Sequence, residues 1–171
     1  DGARFQLGSL PVEVLHTHGH TPACVSYVIG DAAFVGDTLF SMGCGRLFEG
    51  TAEQMFGNMQ RLAALPDDVR IYCGHEYTLA NARFAAHVDS GNQAVAERLA
   101  QIRAMRDRGE ITLPSTIGEE RATNPFMRAA DVGELAQVGA QHLRRADAAL
   151  HRSHVRHRLP HRLEVLPDVG A

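Results

Sequence analysis

Hydrophobic and polar positions alternate from the start of the chain. Phe5 and Leu7, then Leu10, Val12 and Val14 beyond Gly8-Ser9, keep the period of two that marks half-buried strands, and they predict a short hairpin or two edge strands. Asp1-Gly2 is a turn signal with nothing before it to pair with, so the chain is expected to open inside a sheet. Val25 to Ile29 and Ala33 to Val35, joined by Gly30-Asp31, predict a second hairpin of the tight kind. The period then changes. Thr51 with Gln54 three residues later is a capping box, and the helix it opens carries Met55, Met59 and Leu62 on one stripe before stopping near Pro66. Val69 to Cys73 reads as a further strand. Strand, helix, strand is α/β layering.

From Thr78 the pattern is helical only. Val95, Leu99, Ile102 and Met105 form an amphipathic stripe closed by Gly109. Thr116 with Glu119 caps a short turn running into Asn124-Pro125-Phe126-Met127-Arg128, and Asp131 with Glu134 opens a last helix through about Leu150. These changes divide the chain softly near residue 78, into an α/β part over 1–78 and an all-α part over 79–171. No internal repeat interrupts either part.

Composition narrows the class. The 171 residues, 44% hydrophobic and 22% charged, suffice for one ordinary domain or two small ones with a real core. Net charge is −3, and all 17 basic residues are arginine, a coding bias more than a nucleic-acid footprint. No run approaches a membrane span and no signal pattern opens the chain, so neither nucleic acid nor membrane is an expected partner. Cys24, Cys44 and Cys73 fall in no C-x-x-C spacing, and three is the wrong number for a disulfide framework, which favours a reducing cytoplasm. The tail from His142 to Arg162 gathers five histidines and six arginines without apolar periodicity and reads as a solvated end.

Candidate chemistry lies at the strand ends. One strand finishes in Gly36-Asp37, and the strand after the helix finishes in Gly74-His75-Glu76. His20 sits on a tight loop between Gly19 and Thr21-Pro22. His20, Asp37 and His75 are therefore a candidate metal set, expected to converge on a shared cation position. Imidazole and carboxylate suit zinc, iron or manganese, and three protein ligands with an open position define a catalytic site. A carboxylate can also bridge two ions, whose shared water becomes acidic enough to attack an ester-like carbonyl near neutral pH. The loop Thr38 to Gly50 is long, glycine-punctuated and too apolar for disorder, so it is expected to bind something.

The words Gly19-His20-Thr21-Pro22, Gly36-Asp37-Thr38-Leu39-Phe40, Gly43-Cys44-Gly45-Arg46-Leu47-Phe48-Glu49-Gly50-Thr51 and Cys73-Gly74-His75-Glu76-Tyr77-Thr78, in this order, resemble the second half of glyoxalase II, the hydroxyacylglutathione hydrolases of the metallo-β-lactamase superfamily. Asn124-Pro125-Phe126-Met127-Arg128 is similar to that family's C-terminal helical domain. The resemblance implies the second half of an αββα sandwich followed by a small all-α domain. It implies hydrolysis of S-D-lactoylglutathione to D-lactate and glutathione, the second step of methylglyoxal detoxification. It places His20 on a first metal ion, Asp37 between two, and His75 on a second, with zinc foremost and iron or manganese as alternatives. Arg46 and Tyr77 match positions that hold the glutathione part of the substrate.

Departures from the family pattern are as informative. The motif Thr-His-x-His-x-Asp-His supplies four further family ligands from a first half that has no counterpart here. Thr17-His18-Gly19-His20 imitates its opening, but Pro22 and Ala23 stand where Asp and His are needed, so His16 and His18 read as structural or solvated. Phe48 stands where some members have tyrosine, and the basic segment near the family's C-terminus has no match in the tail. The expected site is thus incomplete, with an unpaired sheet edge open to self-association. Three readings follow: a thioester hydrolase, a catalytically silent remnant serving binding or assembly, and a single-iron sulfur dioxygenase relative. The last is opposed by Gly43-Cys44-Gly45-Arg46 running into Leu47-Phe48-Glu49-Gly50.

Overall fold

A computed structural model describes residues 1–129. Strands β1 (Ala3–Leu7), β2 (Leu10–His16), β3 (Val25–Ile29) and β4 (Ala32–Gly36) form an antiparallel meander, Phe5 opposite Val12 and Tyr27 opposite Phe34. Both predicted hairpins are present. The next two strands, β5 (Leu39–Phe40) and β6 (Gly43–Cys44), make a small separate ribbon inside the long loop.

Helix α1 (Ala52–Ala63) starts as its capping box dictates. Thr51 Oγ1 accepts the Gln54 N–H at 3.2 Å, and Gln54 Oε1 accepts the Thr51 N–H at 2.9 Å, so two amides without helical partners are satisfied together. Its stripe of Met55, Met59 and Leu62 packs under the sheet against Ala33, Val35, Leu39 and Ile71, the main core. β7 (Arg70–Cys73) then pairs parallel to β4, completing a strand–helix–strand crossover.

Helices α2 (Thr78–Val88), α3 (Gln93–Asp107) and α4 (Ile117–Thr123) follow. α2 and α3 enclose a second core of Ala82, Ala85, Val95 and Ile102. The helices-only expectation beyond Thr78 needs one correction. β8 (Ser115–Thr116) returns to the sheet and pairs antiparallel with β7, giving the order β1-β2-β3-β4-β7-β8. Two residues leave no periodicity to read, and Ser115 and Thr116 score as a helix entry because Thr116 is also the N-cap of α4. The helix expected from Asp131 to Leu150 and the His/Arg tail lie outside the described residues.

The outer strand β1 is exposed along its whole length, with Phe5, Leu7 and nearby Leu10 about half open to solvent. No helix among the described residues is long and apolar enough to cross a membrane.

Candidate metal centre at the strand ends

Strand directions decide which loops meet. β4 and β7 run parallel, so Asp37 and His75, one and two residues past their ends, emerge at the same sheet edge. β3 runs against β4 and β2 against β3, which brings the β2–β3 loop carrying His20 to that edge as well. Open sheets bind ligands beyond the carboxyl ends of their strands for this topological reason.

The edge is crowded by design of its glycines. Gly36, at φ 52°, turns the chain out of β4 in a conformation that side chains disfavour. Gly74 N–H donates to the Gly36 carbonyl at 2.9 Å, and a Cβ on Gly74 would overlap Asp37 Oδ1. Gly45 N–H donates to the Thr38 carbonyl at 3.2 Å, and a Cβ there would overlap the Asp37 carbonyl oxygen and lie 3.3 Å from His20 Nδ1.

His20 Nε2 and His75 Nε2 each lie 3.5 Å from Asp37 Oδ2. That exceeds a hydrogen bond and matches the roughly 3.4 Å between two ligand atoms that are each about 2.1 Å from a tetrahedral ion. His20 Nδ1 is 2.9 Å from the Arg46 carbonyl, an acceptor, so Nδ1–H is the donor and Nε2 is left to face the carboxylate. That leaves Nε2 and Asp37 Oδ2 facing each other at a separation that two ligands of one cation also show. A ligand histidine whose other nitrogen is tied to a carbonyl is the usual way a metal site fixes its tautomer.

Both imidazoles of the set approach one carboxylate oxygen, Asp37 Oδ2. Among the described residues no trio of His, Cys, Asp or Glu side chains encloses a place for one ion. Asp37, one residue past β4, has the His20 loop on its β3 side and β7, which leads to His75, on the other. Side-chain exposure rises from 18% at His20 through 29% at Asp37 to 51% at His75, so the site opens to solvent on the β7 side.

These groups line a cleft of about 690 Å³ together with Phe40, Arg46, Phe48 and Tyr77. Arg46 is exposed and has no carboxylate within ion-pair distance among the described residues. Tyr77 stacks on His75 at 5.1 Å between ring centroids and meets the edge of Phe40 at 5.3 Å, while Phe48 tilts against His20 at 5.0 Å. His16 and His18 stack on each other at 5.0 Å outside this lining. Cys44, half-buried against the core, has its thiol pushed up to about 12 by desolvation and stays protonated at neutral pH.

Asn81, Phe84 and Phe126 also line the cleft, and residue-by-residue reading misses them. A signal for two of them was present: Tyr77, Ala80, Asn81 and Phe84 fall at i, i+3, i+4 and i+7, one face of α2. Glu76 was missed as well. Its Oε1 accepts the Thr112 N–H at 3.0 Å, the Thr112 hydroxyl at 2.8 Å and Arg106 Nη1 at 3.1 Å, pinning the loop between His75 and Tyr77.

The Thr112 backbone N–H is the main reason that Glu76 titrates below its ordinary 4.5. A depressed folded value means the stabilisation is complete above 4.5 and is lost as pH falls through that lower value. Glu76→Gln is therefore expected to flatten the acid side of the stability curve. Urea midpoints at about pH 6 and about pH 3 should fall further in the parent than in the variant, and equal falls would remove Glu76 from the account.

Two family models cover the chain, the metallo-beta-lactamase superfamily over residues 1–75 and the hydroxyacylglutathione hydrolase C-terminus over residues 76–160. Curated relatives include the hydroxyacylglutathione hydrolases of Brucella anthropi, 52% identical over 82% of this chain and 55% of theirs, and of Methylococcus capsulatus, 51% identical over 75% and 51%. That of Rhizobium meliloti is 50% identical over 87% of this chain and 58% of its own. The chain spans about half the length of the curated relatives it matches. Among solved structures, ETHE1 from Myxococcus xanthus aligns over 80% of this chain and 50% of its own, with a TM-score of 0.52 and 27% identity. A metallo-beta-lactamase from Staphylococcus aureus, at 22% identity and a TM-score of 0.54 over 79% of this chain and 36% of its own, shares the fold.

Proposed function

This chain belongs to the hydroxyacylglutathione hydrolases of the metallo-β-lactamase superfamily, and from that premise we propose that it carries part of a divalent-metal centre for hydrolysing a glutathione thioester. The observation that carries the reading is the pair of 3.5 Å approaches to Asp37 Oδ2, with His20 Nδ1 already engaged by the Arg46 carbonyl. In it, His20 and Asp37 hold one ion and His75 and Asp37 a second, zinc in each case, the remaining ligands coming from outside the described set. Such ions supply a Lewis acid and an acidified water. The chain's own residues do the rest. Arg46 and Tyr77 hold the glutathione part of the substrate, Arg46 as a cation for a carboxylate and Tyr77 through its hydroxyl. Phe40 and Phe48 exclude water from the flanks of the two histidines, and the helical part beyond residue 78 holds the peptide portion of the substrate. S-D-lactoylglutathione is the proposed substrate, in methylglyoxal detoxification. Three free cysteines fit a reducing compartment, the cytoplasm.

Zinc-loaded protein is expected to hydrolyse S-D-lactoylglutathione and to stop when a chelator is added, followed as loss of thioester absorbance. Protein that neither retains zinc nor consumes the thioester would leave the silent remnant, a binding or assembly module, in its place.

A further inference from the structure

The ribbon β5–β6 follows Asp37 and precedes Arg46, and its residues Phe40, Gly43 and Cys44 form one wall of the cleft. Its turn leaves the sheet layer altogether. Met42 buries its side chain in the helical core with Ala82, Ala85, Val95 and Ile102, at φ 57°, where a non-glycine residue is uncommon. A turn held in so sparsely populated a conformation needs surroundings that over-determine it.

Helix α4 and the residue that ends it provide those surroundings. Asn124 Nδ2 lies 2.9 Å from the Gly43 carbonyl, 3.3 Å from the Phe40 carbonyl and 2.8 Å from Glu120 Oε2. Glu120 Oε2 in turn accepts the Met42 N–H at 2.7 Å. Both side chains are wholly buried, and Asn81 Nδ2 adds a fourth tie, to the Ser41 carbonyl at 3.0 Å. Every backbone residue from Phe40 to Gly43 is thus gripped from the helical side. From this juxtaposition we propose that Glu120 and Asn124 are positioning residues, holding the Phe40–Gly43 wall of the cleft at the spacing that a glutathione thioester requires. The affinity part rests on the functional reading above; the positioning part stands on the hydrogen bonds.

The grip is made of hydrogen bonds from two buried side chains to the backbone of the turn. Desolvation raises the Glu120 carboxyl toward its neutral form, with the Asn124, Ser115, Met42 and Ser41 contacts opposing. A glutamine at 120 keeps the oxygen that Met42 and Asn124 use and turns its amide toward the buried Ser41 and Ser115 hydroxyls. An aspartate at 124 keeps the shape but replaces the shared donor by an acceptor facing two carbonyls and a carboxyl.

The test compares Glu120→Leu, Glu120→Gln and Asn124→Asp in the full chain. It reads amide hydrogen exchange at Met42 and, as an internal reference, at Leu62 in α1, together with glutathione binding by calorimetry. Asn124→Asp is expected to speed Met42 exchange at least tenfold over Leu62 and to weaken glutathione about tenfold. Glu120→Leu, which removes the acceptor of the Met42 N–H, is expected to follow Asn124→Asp, and Glu120→Gln, which keeps an oxygen there, to restore both readouts to within twofold of the parent. Should Asn124→Asp not fold, Asn124→Leu, which removes the donor without adding a charge, is read the same way. Parallel acceleration at Met42 and Leu62, or parent-like Met42 exchange in Glu120→Leu, overturns the proposal. A parent protein without affinity for glutathione sinks the functional reading instead, and the exchange comparison still decides the positioning.

Discussion

Asp37→Asn is expected to lower the affinity of the protein for zinc by at least a hundredfold, measured by competition with a chromophoric chelator. In the proposed centre Asp37 is the shared ligand: each imidazole Nε2 lies 3.5 Å from the same Oδ2. Changes one shell further out cost about 10- to 100-fold in metal affinity, so removing the charge of a shared ligand sets the upper end of that range as its floor. Asparagine preserves the volume against which Gly74 is packed, so folding is expected to survive and the loss to be chemical. A variant that holds zinc within about threefold of the parent would show that the carboxylate bridges nothing. His75→Ala, which removes only the more exposed of the two imidazoles, is expected to lose less than Asp37→Asn.

How much of this was legible beforehand depends on the range of the interaction. The β1–β2 and β3–β4 hairpins, the Thr51–Gln54 box and the Met55-Met59-Leu62 stripe are set by neighbours a few residues apart, and the chain folds them as its periodicity predicts. His20, Asp37 and His75 were visible because each follows a glycine at a strand end or tight turn. Their meeting was deducible from the alternation of strand directions. The full strand order was less legible, because the neighbour each strand takes is set by pairing between residues distant in the chain. Glu120 and Asn124 were equally hidden. Their partners Met42 and Gly43 lie some eighty residues away, and a Glu and an Asn four apart on a short helix read as a solvated face until the burial is known. The strand β8 fails for the opposite reason, being too short to carry a period.

Gly45→Ala isolates what the crowding at the strand ends contributes to stability. Gly45 has an ordinary backbone conformation, so its need for glycine comes from proximity alone. A methyl group there would interpenetrate the Asp37 carbonyl oxygen and come within 3.0 Å of its carbon, both of them backbone that cannot rotate away. Relief requires the Thr38–Gly45 hydrogen bond to lengthen and the Asp37 turn to shift, and overpacking of this kind costs about 1–3 kcal/mol or somewhat more. For a chain of this size that is a fall in melting temperature of roughly 2–12 °C. Displacing Asp37 also moves the carboxylate that both imidazoles face, so zinc affinity should fall along with stability. Gly57→Ala is the matched control, because a Cβ at that exposed position in α1 meets nothing within 4 Å. It is expected to stabilise by about 0.5–1 kcal/mol through helix propensity and to leave metal binding unchanged. If differential scanning calorimetry finds the two alanines equivalent, the close approach of the Gly45 loop to Asp37 is not a constraint, and the positioning of the carboxylate has to come from Gly36 and Gly74 alone.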